Sequence, residues 1–307
     1  MQDKKLSFAI FGNEYQAGKS VGIEHVLSSL YECDAEIYVD RPFYEYLSRE
    51  LNVDVKAAGV FDGYNFDVDY AISIGGDGTF LKAANRVLAK GTPVIGVNTG
   101  RLGFLAEVLP TEFKEALAEM YGETCKIEKH TVIQVDVNPC GTAESLPIEG
   151  SPYALNDIAI LKRDSASMIT IRAYVNDDFL VTYQADGLII STPTGSTAYS
   201  LSNGGPIIVP NSGSICLTPV APHSLNIRPI VLNDTTVIRL AVESRSHNFL
   251  MAVDGRSEKL YEGTELIIRK APYVVNVVKL RSKRYFGRSA PAPASGERGA
   301  PKEILVV

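Results

Sequence analysis

The sequence predicts an α/β domain built on a doubly wound parallel sheet, followed by a mostly antiparallel β-sandwich. Three observations carry that prediction. Over the first 124 residues, short apolar runs alternate with segments of helical spacing, the pattern of a parallel sheet covered by helices. At Ile74-Gly75-Gly76-Asp77-Gly78-Thr79 one such run, Tyr70–Ile74, passes through three glycines and a carboxylate into a segment where Phe80, Leu81, Ala84, Val87 and Leu88 recur at helical spacing. Beyond Thr124, period-two alternation takes over and long helical patterns vanish.

Taken in order, Leu6–Phe11 reads as the first strand, ending at Gly12-Asn13, with a helix around Val21–Tyr31 and a strand at Glu36–Val39. Pro42–Leu51 carries a second helical pattern; after the glycine turn and its helix come a strand at Pro93–Val97, a glycine-rich loop from Asn98 to Leu105 holding Arg101, and a helix at Thr111–Tyr121. In the second half, strands are expected at Thr131–Val137, Ala154–Lys162, Met168–Val175, Phe179–Tyr183, Ile215–Leu217, Thr236–Val242, Phe249–Val253, Leu266–Arg269 and Val274–Leu280. Asn176-Asp177-Asp178 suits a hairpin turn. The expected division is an α/β domain over 1–124, a sandwich over 125–285, and a mobile tail or spacer over 286–307, which is rich in Ala, Pro and Gly.

Composition narrows the function. With 45% hydrophobic and 21% charged residues, 307 residues can bury one large core or two ordinary ones. A net charge of −6 argues against broad nucleic-acid or acidic-membrane binding while leaving room for a local phosphate pocket. No apolar run approaches the roughly 20 residues needed to span a bilayer. The four cysteines and four histidines are scattered without metal-ligand spacing, so the expectation is reduced thiols in a cytoplasmic protein and no protein-held metal.

The 75–79 turn is where the chemistry concentrates. A strand-to-helix turn in an open α/β sheet is a ligand position; glycines let backbone amides approach an anion, and the helix N-terminus adds donors. Thr79 is expected to cap the helix. The lysine of a Walker loop is missing and the glycine spacing is not that of the dinucleotide fingerprint, so an ordinary tight turn stays open on this motif alone. A second dense stretch runs from Asp186 to Ser200, with hydroxyls for a base edge or ribose and Tyr199 for stacking; a capped serine/threonine loop is its plain alternative.

Together and in this order, Gly75–Thr79, Asn98–Leu105, Leu155-Asn156-Asp157 and Asp186–Pro206 make the chain resemble the NAD kinases over roughly residues 5–285. That resemblance implies a Rossmann-like first domain and transfer of the γ-phosphoryl group of ATP, with Mg²⁺, to the 2′-hydroxyl of the adenosine ribose of NAD. It implies Asp77 as the group that accepts the hydroxyl proton, with Gly75, Gly76, Gly78 and Thr79 around the phosphates. Asn156, Asp157, Asp186, Thr194, Thr197, Ala198, Tyr199, Ser200, Ser202 and Arg256 would bind the dinucleotide. Asp157 is one methylene shorter than the family's common Glu; Gln184 stands where many bacterial members carry Arg; Arg256 is equally readable as a surface residue. A homo-oligomer, dimer or tetramer, with sites completed by a neighbouring chain, is also implied. The competing readings are a lipid kinase using the same glycine turn and a nucleotide-binding protein without catalysis.

Overall fold

The computed structural model describes residues 5–14, 20–100, 103–139, 146–163 and 167–281. The 286–307 tail, Arg101, Cys140 and Asp164 lie outside the described residues. The first half runs β1 (Ser7–Gly12), α1 (Ser20–Glu32), β2 (Glu36–Asp40), α2 (Arg41–Arg49), β3 (Gly59–Phe61), β4 (Tyr70–Gly75), α3 (Asp77–Val87), β5 (Val94–Asn98) and α4 (Phe113–Tyr121). Its five strands pair in parallel in the order β5-β4-β1-β2-β3. Strands buried on both faces must be apolar throughout, and Phe8 to Phe11, Ala71, Ile72, Ile74 and Val94, Ile95 and Val97 are all buried. α1, α2 and α4 cover one face through Ile23, Leu27, Phe43, Leu47, Phe113 and Leu117, and α3 covers the other through Phe80, Ala83, Ala84 and Val87. The strand order reverses between β1 and β4, which opens a crevice at their carboxyl ends.

The second half comprises β6 (Lys126–Pro139), β7 (Tyr153–Ala154), β8 (Asp157–Lys162), β9 (Ile169–Val175), β10 (Asp178–Ala185), β11 (Gly187–Ser191), a 3₁₀ turn at Thr194–Thr197, α5 (Tyr199–Ser202), β12 (Ser214–Val220), β13 (Ile230–Asn233), β14 (Ile238–Glu243), β15 (Asn248–Val253), β16 (Arg256–Tyr261) and β17 (Thr264–Lys279). A six-stranded antiparallel sheet, β13-β12-β11-β8-β15-β16, packs its inner face on β6, β9, β14 and β17. The β-sandwich core between them joins Ile158, Ile160, Leu188, Ile190, Leu217 and Met251 to Val135, Ile171, Tyr183, Leu240 and Ile268.

The differences from the sequence reading have local causes. Leu266–Arg269 and Val274–Leu280 are one strand, β17, because the irregularity between Lys270 and Val274 bends the ladder with β6 without ending it. Its last stretch pairs Val277 with Val94, so β17 joins the parallel sheet to the antiparallel strands as one eleven-stranded sheet. β11, hidden in sequence inside the polar stretch, is a buried central strand, and β3, β13 and β16 are short or edge strands of mixed polarity. The β9–β10 hairpin turns on Asn176 and Asp177, both with positive φ, as a two-residue type I′ loop requires. Among the described residues no helix is long and apolar enough to cross a membrane.

Candidate active site

The crevice between β1 and β4 is lined by Gly12, Asn13, Glu14, Gly76, Gly78, Thr79 and Lys82, and encloses about 340 Å³. α3 begins there. Gly76 is its N-cap residue and its carbonyl accepts the N–H of Thr79 and Phe80, so the amides of Asp77 and Gly78 precede the hydrogen-bond ladder. Thr79 is therefore the third helical residue and not the cap; the extended backbone at Gly76 starts the helix three residues earlier than expected. A Cβ on Gly76 or Gly78 would meet no protein atom. Packing does not demand glycine at either position, and at Gly78, inside the helix, glycine costs about 1 kcal/mol. The bare backbone leaves the first amides of α3 open to the crevice.

Asp77 is committed more heavily than its motif suggests. Its Oδ2 accepts the Phe104 N–H (2.9 Å), and its Oδ1 accepts those of Leu105 (3.0 Å) and Ala106 (2.9 Å). The carboxylate thus holds the second glycine loop against the first, and Gly103 is needed because any Cβ there would overlap it. Three of about four lone-pair sites are engaged, leaving one on Oδ2.

The other side of α3 faces a second cavity of about 400 Å³, reached by Leu81, one turn beyond Asp77. Asn156, Asp157, Ala198, Tyr199, Asp254, Gly255 and Ser257 line it. The Asp157 side chain is 93% buried yet accepts no hydrogen bond from any described residue. Burial, and then the neighbouring charge of Asp254, push its pKa from 3.8 up to about 7. Asp254 is also raised by burial, against the opposing pull of the N–H groups of Leu155 (2.8 Å), Asn156 (2.8 Å) and Asp157 (3.1 Å) that its carboxylate accepts. Asp254 and Gly255 have positive φ and turn the β15–β16 hairpin, so a loop residue nearly one hundred positions away shapes the Asn156-Asp157 turn.

A buried carboxyl with a raised pKa makes a pH prediction. Below about pH 4 Asp157 is protonated whether the chain is folded or not; between about 4 and 7 only the unfolded chain releases the proton. Its contribution to stability therefore falls as pH rises through that window and is flat above it. The difference in melting temperature, Asp157→Asn minus wild type, should increase from pH 4 to pH 7 and then level off; a difference independent of pH would place the Asp157 titration outside that window.

The polar stretch after β11 is stitched to this turn. Thr192 donates its backbone N–H to the Asn156 carbonyl (2.9 Å) and its hydroxyl to the Leu155 carbonyl (2.5 Å). Gly195 packs so closely that a Cβ would overlap the Asn156 backbone. Gly195→Ala should cost about 1–3 kcal/mol from overpacking and displace Asn156, read as a lower melting temperature. An unchanged melting temperature would contradict the close approach.

The structure brings together Asn156, Asp157, Ala198 and Tyr199 in the second cavity, and Gly76, Gly78 and Thr79 in the first, with Gly75 closing β4 beneath them. Other candidates lie elsewhere. Ser200 is fully buried on the Thr218 hydroxyl (2.8 Å); buried Thr194 lies 2.8 Å from His130 Nδ1; the Thr197 hydroxyl donates to the Thr194 carbonyl (3.2 Å); Ser202 ends α5. The Arg256 guanidinium donates to the carbonyls of Val253, Ser151 and Tyr153, so it latches the hairpin to the chain before β7. Asp186 pairs with Lys162 (2.7 Å) at the start of β11, whereas Asp157 is paired at that strand's other end, roughly 16 Å along it. Lys162, at the end of β8, is held by that ion pair. The sequence reading missed Glu14, Lys82 and Leu81, which carry no motif of their own; Asp254 was signalled only by the Asp-Gly hairpin pair.

With two cavities sharing one glycine-started helix at the switch point, the comparisons with known proteins become decisive. Residues 10–124 match the family model of the ATP-NAD kinase N-terminal domain, and residues 155–280 that of the ATP-NAD kinase C-terminal domain. The chain belongs to the ATP-NAD kinase family. An NAD kinase of Bacteroides fragilis is 56% identical over 92% of this chain and 95% of that protein; one of Porphyromonas gingivalis is 42% identical over 89% and 92%. The fold is shared with yeast NADH kinase, solved in complex with NADH (TM-score 0.80, 24% identity, 91% of this chain and 84% of that one). It is also shared with an Archaeoglobus fulgidus NAD kinase solved with ATP (TM-score 0.67, 24% identity, 89% and 94%).

Proposed function

We propose that this family member transfers the γ-phosphoryl group of ATP to the 2′-hydroxyl of the adenosine ribose of NAD, producing NADP. The observation that carries the reading is the pair of cavities that share α3: a bare-glycine crevice suited to phosphates, and beside it a cavity holding the unpartnered Asp157 carboxylate. Phosphoryl transfer needs positioning and charge neutralisation more than a covalent nucleophile. In this reading the amides around Gly76 and Gly78 take phosphate oxygens, Asn156 and Asp157 hold ribose hydroxyls, and Tyr199, 40% exposed at the rim, stacks on a base. The ribose oxygen bonds to the γ-phosphorus as the bond to the β-phosphate oxygen breaks, and the hydroxyl proton passes to the free lone pair of Asp77.

Among the described residues no group of three or more metal-ligating side chains could hold an ion by itself. Mg²⁺ carried mainly by ATP phosphates and water fits that, with Glu14 as the carboxylate lining the crevice. When bound, the ion would neutralise phosphate charge. The unpaired thiols of Cys33, Cys125 and Cys216 support a reducing, cytoplasmic setting. In this reading Asp186, far along β11 from Asp157, contacts the dinucleotide of a neighbouring copy in a dimer or tetramer.

The test is formation of NADP from NAD with ATP and Mg²⁺. A folded chain that turns over neither ATP nor polyphosphate would leave the lipid-kinase and binding-only readings, and phosphorylation of diacylglycerol would separate those two.

A further inference from the structure

Gly78, Thr79 and Lys82 fall three and four residues apart on α3, so they share the face that looks into the β1–β4 crevice. Among the described residues lining that crevice, Lys82 is the only cation. Its ammonium lies 3.5 Å from Glu14 Oε1 and 3.6 Å from Asp40 Oδ2, longer than the close lysine–carboxylate bonds of Lys162–Asp186 at 2.7 Å and Lys270–Asp234 at 2.6 Å. It is thus held between two acids without a close bond to either, with three donors to give. Asp40 is fully buried and neither of its oxygens has a hydrogen bond, but Arg86, one turn further along α3, stands 3.9 Å away as a second counter-charge. Lys82 can therefore move without stranding Asp40.

We infer that Lys82 binds the terminal phosphates of ATP, leaving Glu14 when the triphosphate occupies the crevice. This rests on the kinase reading above. The phosphate charge takes the place of the Glu14 carboxylate beside the ammonium, and the bare amides of the α3 N-terminus contact the same oxygens. A lysine kept only to neutralise Asp40 would behave differently, and the variants separate the two roles.

ATP binding in the absence of NAD is measured by calorimetry, and KM for ATP and for NAD separately, for wild type, Lys82→Met, Lys82→Arg and the double variant Asp40→Asn/Lys82→Met. Loss of a charged hydrogen bond predicts ATP binding weaker by roughly 10–100-fold in Lys82→Met, with NAD binding held within about twofold. Lys82→Arg should recover much of it, and the double variant should remain defective for ATP even though no unpaired carboxylate is left. ATP affinity unchanged in Lys82→Met, or restored in the double variant, overturns the inference. Wild-type protein that binds ATP but forms no NADP would overturn the kinase reading instead, and Lys82 would then be judged on ATP binding alone.

Discussion

Asp77→Asn should lower the rate of NADP formation by about 10²–10⁴-fold, the range expected when a positioned proton acceptor is removed. The side chain keeps its size but loses one acceptor oxygen, and its amide nitrogen must stand either where Oδ2 meets the Phe104 N–H and the ribose hydroxyl or where Oδ1 meets the N–H groups of Leu105 and Ala106. Either placement opposes two donors. Because the same carboxylate fastens Leu105 and Ala106, the substitution also loosens the loop, and the two effects need separate readouts. Hydrogen exchange at the amides of 104–106 reports the loop; kcat at saturating NAD and ATP reports the chemistry. Faster exchange with kcat within about tenfold of wild type would make Asp77 a loop clamp and not a proton acceptor.

Asp254→Ala should be the most damaging change away from the phosphates. It leaves the amides of Leu155, Asn156 and Asp157 without their acceptor in a buried place, at about 1–3 kcal/mol for each that water cannot reach. A loss of about 3 kcal/mol or more is expected, read as a lower denaturation midpoint, and NAD binding should fall with it because the Asn156-Asp157 turn loses its support. ATP binding at the crevice should be largely kept. Asp254→Asn is the milder control: one oxygen can still serve Asn156 and Asp157, and the neighbouring negative charge that helps raise the Asp157 pKa is gone. Should Asp254→Ala bind NAD like wild type, the turn is not held by this carboxylate.

Most regular elements were legible because their periodicity survives locally. The buried runs Phe8–Phe11 and Val94–Val97 admit few other readings, and the Asn-Asp hairpin states its own geometry. What escaped lacked a local signal. β17 was split because Ala271 and Pro272 interrupt its alternation, while the bulge opposite β6 that carries the strand through is a property of the pairing. β11 was absorbed into the polar stretch that follows it. Thr79 looked like a cap by residue type, but helix onset depends on the backbone angles of Gly76, which no side chain announces. Among candidate site residues, Ser200 and Thr194 have the right chemistry for a nucleotide and spend it on internal partners.

By itself, the sequence determined the alternation of strands and helices, the switch to antiparallel strands after Thr124, and the glycine turn that starts α3. These are governed by side-chain polarity, backbone freedom and spacing over a few residues. Only the tertiary structure decided that Asp77 clamps a loop nearly thirty residues away, and that Asp254 shapes a turn nearly one hundred residues before it. It alone placed Lys82 in the crevice with Glu14. A hydrogen bond is satisfied by any donor within about 3 Å, whatever its distance along the chain, so its partner is chosen by packing and not by sequence neighbourhood.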